Sequence, residues 1–268
     1  MPDIESYRPE RYKDLIEHIW LIKNGAQSID VIVPPSPYLN LIFPLNDTHY
    51  YFNQTLVSDP QLEGLSLQTH QLRYPAHTSI LGIRFYPYGL YPFVPLHPKL
   101  LINSSSLAEL FIKEANLTRI KSITDTSKAI HEVYQLLDKL HNAKRDASIA
   151  LLKNFYKFYR TGEEELSIED YCTQIGSNYC TLNRKLSKVT GISPKKLERL
   201  LRFRKSLCSL TDSTEKLTQI STEAGYFDQA HFIREFKWFV SQTPSSYQNR
   251  IKSSPNDSVL INYNFRLF

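Results

Sequence analysis

The chain has 268 residues, 41% apolar and 22% charged, with a formal net charge of +5. That balance excludes a disordered or fibrous chain and allows one large or two ordinary hydrophobic cores. Its three cysteines (Cys172, Cys180, Cys208) lack CxxC or Cys/His ligand spacing, which argues against a disulfide framework or structural zinc and fits a reducing cytoplasm. Asp3, Glu5, Glu10 and Asp14 interrupt the first thirty residues, so no signal-like run is expected. Four prolines break the longest uncharged stretch, 31–46, so no membrane span is expected.

Twelve of the 15 prolines precede residue 100 and exclude long helices there. One short amphipathic helix is predicted near Tyr12–Trp20, because Leu15, Ile16, Ile19 and Trp20 share a helical face. Apolar and β-branched runs at Ile29–Val33, Leu39–Phe43, Tyr50–Phe52 and Ile80–Tyr86 predict strands of a mainly antiparallel sandwich or barrel. After about residue 105 the period changes. Ile130, Val133, Leu137 and Leu140 predict a helix over 126–141. The polar stretch Asn142–Asp146 is the candidate boundary, and Leu151, Leu152, Phe155 and Tyr159 mark a helix over 147–160.

From there each helix carries its own start signal. Ser167-Ile-Glu-Asp170 is a capping-box-like start for a helix through Ile175. Gly176 permits a tight turn, Asn178 caps the next helix, and Gly191 stops it. Ser193-Pro194 opens a long helix to about Leu210. Thr214 opens another that ends at Gly225, Asp228 caps a helix through about Val240, and Thr243-Pro244 begins a last short one. Seven helices with short turns predict a compact all-α unit.

Charge follows the same division. Residues 171–252 hold 14 Lys/Arg against 6 Asp/Glu, a net of +8, while the remainder is net −3. A basic segment on a near-neutral body suggests a polyanion-binding module. Within it, two stretches have the helix-turn-helix pattern of a support, a tight turn, and a second helix with one apolar face and one polar face. In the first, Leu182, Leu186 and Val189 point inward, and Cys180, Asn183, Arg184 and Ser187 point outward beside Lys188. In the second, Phe232, Phe236 and Phe239 point inward, and Gln229, Ala230, Ile233, Arg234 and Lys237 point outward. Asn suits adenine and Arg suits guanine, so the polar faces fit base reading. Either stretch alone also reads as an ordinary amphipathic helix; two in tandem favour DNA.

These residues carry a resemblance. Ile220-Ser-Thr-Glu-Ala-Gly-Tyr-Phe-Asp-Gln-Ala-His-Phe-Ile-Arg-Glu-Phe-Lys237, followed by Thr243-Pro-Ser-Ser-Tyr247, is similar to the signature of the AraC/XylS family of bacterial transcription regulators. Residues 147–250 resemble that family's DNA-binding domain as a whole, Leu166–Gly191 matching in layout. The resemblance implies base contacts from Cys180, Asn183 and Arg184, and from Gln229, Ala230, Ile233 and Arg234. It places Lys185, Lys188 and Lys237 near phosphates, with His231 a phosphate contact or a packed turn residue. Cys180 and Ala230 are small and Ile233 is apolar, so thymine methyl contacts and DNA shape are expected to matter beside hydrogen bonds.

Residues 5–110 resemble the cupin-like, sensor-type domain that precedes some AraC-type domains, through Leu15–Trp20, Pro37–Phe43 and Gly82–Tyr91. The resemblance implies effector binding or dimerisation. Arg84, Tyr86, Tyr88 and Tyr91 are the candidate pocket for a planar or acidic ligand, although a β core with Tyr-Pro turns accounts for them without one. His18, His49, His70, His77 and His97 are isolated, so no metal is expected. No nucleophile elbow, P-loop or dinucleotide fingerprint is present, so neither catalysis nor a cofactor is expected. The alternatives are a ligand-processing cupin-like enzyme with a DNA-binding tail and a ligand-independent regulator whose first half only dimerises. The expected plan is a β-rich sensor or dimerisation domain (1–110), a helical connector (111–145), a tandem helix-turn-helix domain (146–250) and a tail without assigned role (251–268). Expected partners are promoter DNA, a small effector, a second copy, and RNA polymerase for an activator, with no membrane.

Overall fold

The computed structural model describes residues 3–95, 98–161, 166–212 and 216–253. The first part of the chain forms β1 (Asp3–Tyr7), β2 (Ile16–Lys23), β3 (Ile29–Val33), β4 (Leu39–Pro44) and β5 (Tyr50–Phe52). There follow β6 (Thr55–Val57), β7 (Gln61–Glu63), β8 (His70–Tyr74), β9 (Ser79–Phe85) and β10 (Ser105–Leu107). They make a six-stranded sheet in the order β1-β2-β9-β4-β7-β10 and a four-stranded sheet in the order β3-β8-β5-β6, with every pairing antiparallel. The predicted strands are β3, β4, β5 and β9.

The helix predicted near Tyr12–Trp20 is instead mostly strand. Leu15 and Ile16 donate to the Tyr12 carbonyl at 2.8 Å, a single turn, and Tyr12 itself sits at φ 55°. From Ile16 the chain runs as β2 between β1 and β9. Its residues are buried on both faces: Ile16, Ile19 and Leu21 join one apolar cluster, and Trp20 and Ile22 join another. A strand covered on both sides loses its polar alternation, and a short apolar run then mimics a helix.

The cluster holding Trp20 and Ile22 gathers Val31, Val33, Tyr50, Leu72 and Tyr74, and so lies between the two sheets. The other face of the large sheet meets helices α1 (Glu114–Lys121) and α2 (Thr126–Leu140). After α3 (Ala143–Ser148) come α4 (Ala150–Thr161), α5 (Ile168–Gln174), α6 (Tyr179–Thr190) and α7 (Pro194–Asp212). The last three are α8 (Leu217–Glu223), α9 (Gln229–Val240) and α10 (Pro244–Ser253). The polar stretch at 142–146 is not a bare linker, because Asn142 caps α3 by accepting from Arg145 N at 3.0 Å. The start assigned to Thr214 lies outside the described residues, as do His97 and residues 254–268 of the tail. Among the described residues no helix is long and apolar enough to cross a membrane.

The apolar cluster on the helix side of the large sheet does not stop at the β-rich half. It runs from Ile83 and Phe85 of β9 through Val133 of α2 and Phe155 of α4 to Leu200 of α7 and Phe236 of α9. Tyr156 of α4 donates to the hydroxyl of Tyr38 at 2.9 Å across this junction.

Candidate nucleic-acid interface

The two helix-turn-helix units repeat the same backbone device. In the first, Ser177 N donates to Cys172 O at 2.8 Å, closing the end of α5 with Gly176 at φ 65°. In the second, Tyr226 N donates to Ser221 O at 2.9 Å, with Gly225 at φ 82° after α8. Both bonds reach five residues back and both glycines are left-handed, as a Schellman ending requires. The next helix is then capped by a side-chain oxygen. Asn178 accepts from Thr181 N at 2.9 Å, and Asp228 accepts from His231 N at 2.6 Å. The second turn is one residue longer, and Phe227 stands in it 93% exposed.

The capped helices present the two faces read from the sequence. On α6, Leu182, Leu186 and Thr190 are buried, Val189 and Asn183 are half-buried, and Cys180, Arg184, Lys185 and Lys188 are exposed. On α9, Phe232, Phe236, Phe239 and Val240 are buried, Gln229, His231 and Ile233 are half-buried, and Ala230, Arg234 and Lys237 are exposed. Asn183 accepts from the Ser187 hydroxyl at 3.3 Å, and Gln229 accepts from Thr218 at 2.9 Å. Helix α7, 19 residues long, joins the units and spans about 28 Å at the α-helical rise, against the roughly 34 Å between successive major-groove faces.

Helix α9 is also tied by charge, which sequence reading missed. Glu235 is 5% exposed and lies against α7. Arg199 donates Nε to its Oε2 at 2.7 Å, and Arg202 donates Nε and Nη2 to Oε1 at 3.3 and 3.2 Å. Arg202 also meets Glu198 at 3.3 Å, and the Arg199 guanidinium lies 4.9 Å from the Trp238 ring. Among the described residues no ion pair joins α6 to a neighbouring helix.

A second constellation lies between the sheets. Strand register sets Arg84 of β9 between His18 of β2 and Asn40 of β4, on the face that Ile80 and Gly82 also share. There it borders a cavity of about 50 Å³, with Trp20, Tyr38, Glu63, Tyr74 and, from α7, Arg204. Arg84 and Arg204 lie 5.6 and 5.1 Å from the Tyr38 ring. Burial lowers the proton affinity of the Arg204 guanidinium, and the charge of Arg84 adds to the effect. Burial pushes the Glu63 carboxyl up to about 7, although Tyr50 donates to it at 3.2 Å. Tyr86 and Tyr88, named with Arg84 from the sequence, stand outside this cavity and pack on Tyr156 at 5.4 and 5.8 Å; Tyr91 is half-buried beside the helix-side cluster. Among the described residues no group of three or more His, Cys, Asp or Glu is placed to hold a metal ion.

A family model described as "Helix-turn-helix domain" matches residues 171–250, and one described as "Domain of unknown function (DUF6597)" matches residues 7–106. The HTH-type transcriptional activator RhaS of Pectobacterium carotovorum subsp. carotovorum (strain PC1) is 24% identical over 264 residues, covering 90% of this chain and 88% of that protein. An uncharacterized HTH-type transcriptional regulator of Staphylococcus aureus (strain MSSA476) is 28% identical over 85 residues. That match covers 32% of this chain and spans only 11% of the relative's length. Among solved structures, ToxT from Vibrio cholerae aligns over 92% of this chain and 98% of its own at 12% identity, with a TM-score of 0.43. Residues 171–250 thus match a helix-turn-helix domain, and the chain along most of its length is similar to an HTH-type transcriptional activator.

Proposed function

We propose that the chain regulates transcription by reading two adjacent major-groove segments of promoter DNA, one with α6 and one with α9. The observation that carries this is the repeated turn, cap and exposed polar face, displayed twice on a segment of net charge +8. On this reading Cys180, Asn183 and Arg184 reach bases from α6, and Gln229, Ala230, Ile233 and Arg234 from α9. Lys185, Lys188, His231 and Lys237 meet phosphates. The β-rich part, 1–110, is the sensor, 111–145 the connector, and 146–250 the reading domain of a cytoplasmic, non-enzymatic protein. A second copy and, for activation, RNA polymerase are its partners.

The test is capture of sheared genomic DNA at moderate salt by the full chain and by Arg184→Ala/Arg234→Ala. The wild type should enrich regions sharing two short motifs about one helical turn apart, and the double variant should lose them. Each arginine should be worth about 1–3 kcal/mol of base discrimination. Equal, featureless recovery by both proteins would refute base reading by these helices.

A small effector in the β-rich half is favoured by the cavity between the sheets, which Arg84 and Arg204 both border. Arg204 belongs to the helix that joins the reading units, so an occupant there has a direct path to both. A metabolite that raises Tm in the wild type by mass action, and does not in Arg84→Ala, would support this reading. A ligand shift that survives in Arg84→Ala would remove the cavity from it.

A further inference from the structure

Helix α9 must do more than expose its polar face; it must hold that face at one rotation about its own axis. Phe232, Phe236 and Phe239 seat the helix, but apolar packing is non-directional and tolerates small rotations. Glu235 sits on the flank between that apolar face and the exposed one, one helical turn from His231. Its two oxygens meet two guanidiniums that both project from α7, three residues apart. Planar forks of this kind fix orientation as well as distance. The guanidiniums are themselves held. Arg199 lies over Trp238 of the same reading helix, while Arg202 lies 5.0 Å from the Tyr226 ring and also meets Glu198.

We propose that Glu235 is a positioning residue for sequence reading: by binding Arg199 and Arg202 it sets the rotation of α9 on α7 and keeps the Arg199 cation off the DNA. This rests on the DNA-reading function proposed above. Burial of ion pairs is a weak route to stability but a strong constraint on geometry, so the effect belongs in specificity. Without the carboxylate, α9 loses its directional contact, and Arg199, left with ring contacts alone while Arg202 keeps Glu198, becomes available to any phosphate. Binding then shifts from sequence-dependent to salt-dependent and sequence-independent. The first unit has no equivalent ion pair among the described residues, so its half of the site serves as an internal control.

The experiment is selection from random duplex DNA by full-length wild type, Glu235→Gln and Arg199→Gln, with salt titrations of each on the selected site. Glu235→Gln should lose about ten-fold discrimination at positions read by α9, the lower end of what one well-made base contact provides. Positions read by α6 should stay sharp, and the salt slope should steepen by about one unit for each further phosphate that a released arginine neutralises. Arg199→Gln should blur the same half-site without steepening the slope, since it removes the cation along with the contact. Retained selection by α6 shows that the variant is folded. Equal blurring of both half-sites, or an unchanged profile with an unchanged slope, would overturn the proposal. A wild type that selects no sequence would instead overturn the DNA-reading function, and the inference with it.

Discussion

In the first unit, α6 is seated by Leu182, Leu186 and Thr190, and Gly191 ends it in the left-handed conformation. In the second, α9 is seated by three phenylalanines and the Glu235 ion pairs, and it ends on Ser241, a residue with a side chain, at φ 58°. The turn and the cap are the same device in both units; the means of holding the reading helix are not. Local hydrogen bonding thus dictates where each helix begins, and long-range packing decides how firmly it is aimed.

The largest way to break this comparison is to hollow out each seat in turn. Phe236→Ala should cost about 3–5 kcal/mol and Leu186→Ala about 2–5, the cavity term setting the rank. Denaturant midpoints at constant slope would measure both, and a larger cost for Leu186→Ala would reverse the assignment of the tighter seat.

A perturbation confined to the β-rich half sharpens the same comparison by leaving both units untouched. Burial raises the folded pKa of Glu63 from 4.5 to about 7, so the native state holds an extra proton between those values. The contribution of Glu63 to stability should therefore fall as pH climbs through that window, by on the order of 1–3 kcal/mol, against the opposite slope of His18 and His70, whose proton affinity burial lowers. The stability difference between wild type and Glu63→Gln, measured by denaturation at about pH 5 and about pH 8, should show this loss. A difference that does not change with pH would place the titrating group elsewhere.

Exchanging the two helix endings tests a smaller difference. Ser241→Gly should stabilise by about 0.5–1 kcal/mol by relieving the left-handed serine, and Gly191→Ser should cost about 1. Thermal unfolding of the pair would show opposite shifts in Tm; shifts of one sign would mean that the endings are not equivalent. The smallest expected effect lies in the salt dependence of DNA binding. Lys188→Ala and Lys237→Ala should each flatten the slope by about one unit without altering the selected sequence. A lysine whose loss changes the sequence instead would be reading bases.

Much of the helical half was legible because its signals are local. A cap, a left-handed glycine and a period of three to four residues lie within one or two turns of each other, as Asn178, Gly191 and Leu182–Leu186 do. The β-rich half was legible where a strand stood between turn residues, as at Ile29–Val33, and misread at β2, whose two buried faces leave no alternation. Of the cavity only Arg84 was named from the sequence; Glu63 and Arg204 join it through strand register and the docking of α7. Glu235 was equally hidden, because an acidic residue next to Arg234 on a polar helix reads as solvated until α7 supplies its partners.

The apolar cluster that runs unbroken from β9 to α9 has a calorimetric consequence. A chain with two separable cores melts in two steps, whereas here the sheet and the reading helices share one reservoir of buried surface. Heating should give a single transition whose van't Hoff and calorimetric enthalpies agree. A helical fragment cut near Asn142 would bare Tyr156, which packs on Tyr38, Tyr86 and Tyr88, to water, and would be sticky and less stable than its share of the whole.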